Sequence, residues 1–107
     1  MKDPNREDMV RDLAAAVARL GDVETAQDFL EAILTPRELE KVALRWRLVR
    51  MLREGYSQRQ IAHALGVSLC KITRGSRELK KGPPGFLRTV ERECGRHGAH
   101  KSSSAEA

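Results

Sequence analysis

Hydrophobic positions recur at helical spacing along most of this chain, and no stretch alternates as a strand would. Asp3 and Pro4 read as an N-cap followed by proline at the first helical position. Met9, Leu13, Ala16, Val17 and Leu20 then share one face as far as Gly21, a helix stop. Asp22 caps a second helix with Val23, Ala26, Phe29, Leu30 and Ile33 on its apolar side. Thr35-Pro36-Arg37-Glu38 combines a capping box with proline at the first helical position. That starts a third helix, which runs to about Glu54 and stops at Gly55, with Leu39, Val42, Trp46, Val49, Met51 and Leu52 on its apolar side. Ser57 and Gln60 form a second capping box. Ser68 caps the helix after it, which continues to about Leu79 and breaks at Gly82-Pro83-Pro84-Gly85. A last helix holds Phe86, Leu87 and Val90, and residues 96–107 form a polar, small-residue tail expected to be disordered. The pattern predicts an all-α protein of about six helices, with residues 1–95 as one domain.

The segment 57–79 is more specific than a pair of amphipathic helices. With Gln58 as position 1, Ile61 falls at 4, Ala62 at 5, Leu65 at 8, Gly66 at 9, Val67 at 10 and Ile72 at 15. Two short helices crossing steeply need a small residue at 5, where they approach, and favour glycine at 9, where the turn becomes left-handed. This is the frame of a helix-turn-helix, whose second helix keeps a polar face for the DNA major groove. Ser68, Leu69, Cys70, Lys71 and Thr73 lie in the N-terminal half of that helix and are expected to face the groove. Gln58 and Arg59 open the preceding helix within reach of the DNA backbone, and Arg77, Lys80 and Lys81 follow as phosphate contacts.

Charge sharpens this reading. Residues 1–35 carry 4 Lys/Arg against 8 Asp/Glu, whereas residues 36–107 carry 16 against 7, so the basic surplus coincides with the helix-turn-helix. Aromatic residues are only 4%, which argues against a stacking platform for single strands. Two cysteines make no disulfide framework, the N-terminus lacks the apolar core of a signal peptide, and no apolar run reaches the length of a membrane span. The expected compartment is the cytoplasm. No Ser/His/Asp set, P-loop or metal quartet is present, so an enzyme is not expected. The apolar faces of the first three helices exceed what a monomeric bundle of this size readily covers. Either the bundle is nonetheless monomeric, or the helices at about residues 4–34 interleave with a partner subunit.

Leu34-Thr35-Pro36, Arg45, Ser57-Gln58-Arg59 and above all Ile72-Thr73-Arg74-Gly75-Ser76 resemble the tryptophan repressor family over about residues 29–92. Tryptophan repressors are among the proteins from which the helix-turn-helix docking rule is drawn, so agreement with that rule adds no independent weight. The resemblance implies an intertwined homodimer that binds operator DNA with free L-tryptophan as corepressor, and no other cofactor. It implies that Arg45 and Arg74 sandwich the indole ring and that Arg74 attracts the ligand carboxylate. It also implies that Gly75 lets the ring approach the backbone. Thr35 would reach the carboxylate from the other subunit, and the carbonyls of Ala32 and Leu34 would accept from the ligand ammonium. Arg59 matches an arginine that reaches a guanine edge. The family reads its operator largely through ordered water, so no side chain is assigned a base.

Each of these residues also has a plain reading. Thr35 is an N-cap, Arg45 a surface charge, Gly75 a packing glycine and Arg74 a phosphate contact. The chain departs from the family pattern at two places. The turn before Ser57 is one residue shorter, and Glu78 stands where the family has a serine near the indole nitrogen. A carboxylate there accepts the indole N–H, repels the ligand carboxylate, pairs with Arg45 or Arg74, or points to water. An ion pair with the arginines would leave a ligand-independent DNA-binding regulator. A helical protein-binding adaptor is the alternative outside DNA binding. Cys70 is read as a small contact to DNA rather than a redox sensor, and the spacing Cys94-x2-His97-x2-His100 is too sparse for a zinc site.

Overall fold

The computed structural model describes residues 5–96. Six helices follow one another: α1 (Arg6–Ala18), α2 (Val23–Ile33), α3 (Pro36–Arg53), α4 (Gln58–Leu65), α5 (Leu69–Lys81) and α6 (Pro84–Arg96). No strand occurs among the described residues. The all-helical architecture is therefore the one the periodicity predicts.

Helix starts are set by side-chain caps. The Asn5 side chain accepts from the Asp8 N–H at 2.8 Å, so α1 begins after Asn5. The start read at Asp3 and Pro4 lies outside the described residues. Asp22 Oδ1 accepts from the Thr25 N–H at 2.7 Å and starts α2. Before α3 the capping box closes both ways: Thr35 N–H donates to Glu38 Oε1 at 2.8 Å, and Glu38 N–H donates to Thr35 Oγ1 at 3.1 Å. The Thr25 backbone N–H holds the Asp22 carboxyl below its ordinary range, and the Thr35 backbone N–H does the same for Glu38. At its other end α3 stops at Arg53, and Tyr56 N–H closes back onto the Met51 carbonyl at 3.1 Å.

The chain divides into two compact units between Leu39 and Glu40, inside α3. The first unit holds α1, α2 and the first turn of α3. No residue of α1 or α2 is buried. Met9, Leu13 and Val17 form an exposed stripe on α1, and Val23, Leu30 and Ile33 are exposed on α2.

The second unit carries the core. Leu48, Val49 and Met51 of α3, Ile61 of α4, Ile72 of α5 and Val90 of α6 are buried. Trp46, Tyr56, Leu65, Leu79 and Phe86 pack around them. Burying such a side chain fully stabilises by roughly 1.5–3 kcal/mol. Two assignments on α3 change. Leu48, absent from the expected apolar side, is only 2% exposed, whereas Val42, placed there, is 42% exposed. Apolar residues lie on several sides of α3, so spacing alone selects no single face.

Helix α5 continues two residues beyond Leu79. Cations are favoured at a helix C-terminus, and Lys80 and Lys81 occupy its last turn. The Gly82 N–H donates to the Glu78 carbonyl at 2.9 Å, and Pro83 prevents continuation. Helix α6 reaches Arg96, one residue into the expected tail, and Cys94 within it packs on the core. His97, His100 and the remainder of the expected tail lie outside the described residues. An ion pair between Arg53 and Glu91 at 3.0 Å joins α3 to α6. Both side chains are about half exposed, and such a pair is worth at most about 1 kcal/mol.

Candidate functional site

The helix-turn-helix is built as its residue frame requires. Ser57 Oγ accepts from the Gln60 N–H at 3.1 Å, and the Gln60 side chain returns the bond to the Ser57 N–H at 2.8 Å. Ile61 and Ile72 are fully buried beneath the crossing. The turn leaves α4 through Gly66 at φ 64°, a left-handed conformation that other L-residues adopt at a cost of roughly 1–2 kcal/mol. Ser68 then caps α5 by accepting from the Lys71 N–H at 3.3 Å.

All ten side chains expected to meet DNA are exposed: Gln58, Arg59, Ser68, Leu69, Cys70, Lys71, Thr73, Arg77, Lys80 and Lys81. Two of them have part of their hydrogen bonding already committed. Ser68 Oγ is an acceptor for its own helix, which leaves its hydroxyl proton to donate outward. Thr73 Oγ1 donates to the Leu69 carbonyl at 2.9 Å, which leaves its lone pairs and methyl group facing out. Leu69 is 58% exposed, a large apolar side chain on an otherwise polar surface. A shallow depression of about 310 Å³ runs between Leu69, Cys70, Thr73, Arg74 and Arg77.

Behind that helix, within the second unit, lies a larger cavity of about 600 Å³. Helix α3 contributes Lys41, Leu44, Arg45, Leu48 and Val49, a stripe at spacings of three and four. Helix α5 contributes Lys71, Arg74, Gly75 and Glu78 at the same spacings. Val67, Pro83 and Phe86 complete the walls. The result is an apolar floor ringed by four cationic side chains and one carboxylate. No ion pair among the described residues involves Arg45, Arg74, Lys41, Lys71 or Glu78. Glu78 therefore makes no ion pair with Arg45 or Arg74 among the described residues.

Of the expected ligand residues, Arg45, Arg74, Gly75 and Glu78 come together in this cavity. Thr35, Ala32 and Leu34 belong to the first unit, where Thr35 is committed to the α3 cap. Gly75 has a packing role that sequence could not decide. A Cβ there would stand 2.7 Å from Leu48 Cδ2 and 3.4 Å from Leu52 Cδ1. Its missing side chain lets α5 approach α3. Lys41, Leu44, Val67, Pro83 and Phe86 are lining residues that the sequence reading did not select. Lys41 and Leu44 carried a signal, since they precede Arg45 by four and one residues on the same helical stripe. Lys71 belongs to both surfaces, exposed on α5 and lining the cavity.

An all-helical fold with an exposed second helix in a helix-turn-helix, backed by a cation-ringed cavity, places the chain in the helix-turn-helix class. Comparison with known proteins makes that class particular. The family model described as Trp repressor protein matches residues 8–94, and the chain belongs to the Trp repressor family. It is 41% identical over 68 residues to a Trp operon repressor homolog of Chlamydia trachomatis serovar L2, covering 63% of this chain and 72% of that one. It is 36% identical over 88 residues to the homolog of Chlamydia caviae, covering 78% and 87% of the two chains. It is 38% identical over 68 residues to the homolog of Pasteurella multocida, covering 63% and 67%. No solved structure matches. The chain is accordingly a transcriptional regulator of the Trp repressor type, a family of regulators and not of enzymes. Among the described residues, no helix is long and apolar enough to cross a membrane.

Proposed function

We propose that this protein is a homodimeric repressor that binds operator DNA through α4 and α5 and takes L-tryptophan as corepressor in the cavity between α3 and α5. The observation that carries the proposal is the cavity itself. It lies against the back of the reading helix, and Lys71 and Arg74 stand on that helix. A ligand there adds contacts to one placement of α5 relative to α3. It thereby shifts the population toward that placement, by an amount limited to its differential affinity. The indole ring suits the apolar floor, and the guanidinium planes of Arg45 and Arg74 suit its faces. The carboxylate suits Arg74, whose fork matches it in two hydrogen bonds. The family pattern adds Thr35 from the other subunit, toward the ligand carboxylate, and the carbonyls of Ala32 and Leu34, toward its ammonium. The exposed apolar stripe of Met9, Leu13 and Val17 supports burial of the first unit against a second copy.

On the DNA side, Ser68, Leu69, Cys70, Lys71 and Thr73 face the major groove, with the Leu69 side chain suited to a thymine methyl group. Gln58, Arg59, Arg77, Lys80 and Lys81 hold the backbone. Selecting bound duplexes from a random pool, with and without L-tryptophan, tests partner and effector together. The expected result is enrichment of a two-fold symmetric sequence only when tryptophan is present. Affinity for it falls steeply with salt, and Lys80→Ala or Lys81→Ala, each of which removes two lysines from the dimer, flattens the log–log slope by about 2. A pool that stays unenriched in both conditions contradicts the proposal.

A further inference from the structure

We infer that Thr73 reads operator DNA through its methyl group and not through its hydroxyl. With Leu69 and Cys70 it forms a dry seat for the C5-methyl of a thymine, which makes Thr73 a specificity-determining residue. The inference rests on α5 being the reading helix of the proposed operator-binding dimer.

The outward face of α5 divides by chemistry. At its start, Ser68 Oγ accepts from the Lys71 N–H at 3.3 Å, so the Ser68 hydroxyl proton and the exposed Lys71 ammonium are donors turned to a partner. One turn on, the hydroxyl proton is already committed. Thr73 Oγ1 donates to the Leu69 carbonyl at 2.9 Å, the bond to the residue four earlier that threonine makes inside helices. That bond fixes the side chain's rotamer and draws its oxygen back toward the helix backbone. Of the groups left facing out, the methyl has matching neighbours. Leu69 and Cys70 precede Thr73 by four and three residues, on the same side of the helix. Leu69 is 58% exposed, and Cys70 is exposed beside it. All three line the depression of about 310 Å³, with Arg74 and Arg77 alongside.

In the major groove thymine alone among the four bases presents a methyl group. A methyl seated in the depression leaves water together with the Leu69 and Thr73 methyls. Burying one such group is worth about fourfold in affinity for each half-site. The contact is direct, unlike the reading through ordered water on which tryptophan repressors otherwise rely.

The test titrates the full-length protein, at fixed salt and saturating L-tryptophan, with the duplex enriched from the random pool. Deoxyuridine replaces thymidine at each T·A pair in turn, in both half-sites together. This removes the C5-methyl and keeps every hydrogen-bonding group. At one symmetric position the wild type is expected to lose about 15-fold in affinity. Thr73→Val keeps the methyl and loses the hydroxyl. It is expected to bind the thymine duplex within about twofold of the wild type and to keep the uracil penalty. Thr73→Ser keeps the hydroxyl and loses the methyl. It is expected to lose about 15-fold on the thymine duplex, and its uracil penalty shrinks to about fourfold. Leu69→Ala, on the opposite wall, is expected to shrink that penalty likewise. Thr73 and Leu69 are exposed, and circular dichroism checks that the variants fold. The reverse order, with Thr73→Ser at wild-type affinity and Thr73→Val weakened, overturns the inference and assigns the reading to the hydroxyl. Uracil duplexes that bind as tightly as the thymine duplex at every position also overturn it, and leave operator binding intact. A pool that yields no enriched duplex overturns the operator reading, and this inference with it.

Discussion

Arg74→Ala is expected to bind operator duplex equally with and without L-tryptophan, while retaining the salt-dependent affinity of the unliganded protein. Arg74 stands one helical turn beyond Lys71 on the stripe of α5 that lines the cavity. Its guanidinium has no ion-pair partner among the described residues, so it is available to a ligand. Charge-assisted hydrogen bonds of this kind contribute about 1.5–3 kcal/mol, or about 10- to 150-fold in affinity. Loss of the face against the indole ring adds to that. Arg74→Lys restores a positive charge without the planar fork and is expected to recover only a part of the response. Calorimetry for the ligand and gel shifts at fixed salt, with and without tryptophan, read both effects. A tryptophan response of wild-type size in Arg74→Ala would show that the ligand is held elsewhere.

Gly75→Val is expected to lower stability by about 2–3 kcal/mol, near the upper end of the usual cost of overpacking a core. In a chain of this size that is about 10–20 °C in melting temperature. The Cβ alone would fall 2.7 Å from Leu48 Cδ2, with Leu52 and Val49 close behind it. Leu48 is 2% exposed and packed in the core cluster, so its displacement disturbs its buried neighbours. Combining Gly75→Val with Leu48→Ala opens the space, so the double variant should be less destabilised than the sum of the two singles. Strict additivity would mean that the α3–α5 contact at Gly75 is not what the substitution disturbs. The same contact explains why the candidate ligand residues and the packing residues are neighbours. The glycine that lets α5 lie on α3 also lines the cavity beside them.

The parts of this fold that could be read from sequence are those decided locally. The capping boxes at Thr35/Glu38 and Ser57/Gln60, the caps at Asp22 and Ser68, and the left-handed Gly66 each depend on residues within a few positions of one another. All of them form as expected. Ile61 and Ile72 were legible for a similar reason, since the short frame around the turn fixes which positions point inward. Leu48 was not legible, because α3 is apolar on several sides and only its neighbours decide which of them is covered. The cavity was half legible. Arg45, Arg74, Gly75 and Glu78 could be marked by their resemblance to a family, and they share one wall system. Val67, Pro83 and Phe86 could not, because they reach the cavity through the turn before α5 and the start of α6, which no helical period connects to Arg45.

The ligand-coupled reading head can be tested most directly by paired titrations at one salt concentration. Operator affinity is measured with and without saturating L-tryptophan, and tryptophan affinity with and without saturating operator. The expected result is that each ligand tightens the other by the same factor, about tenfold or more, as linkage between two sites on one protein requires. Operator affinity that is identical in the presence and absence of tryptophan would contradict it.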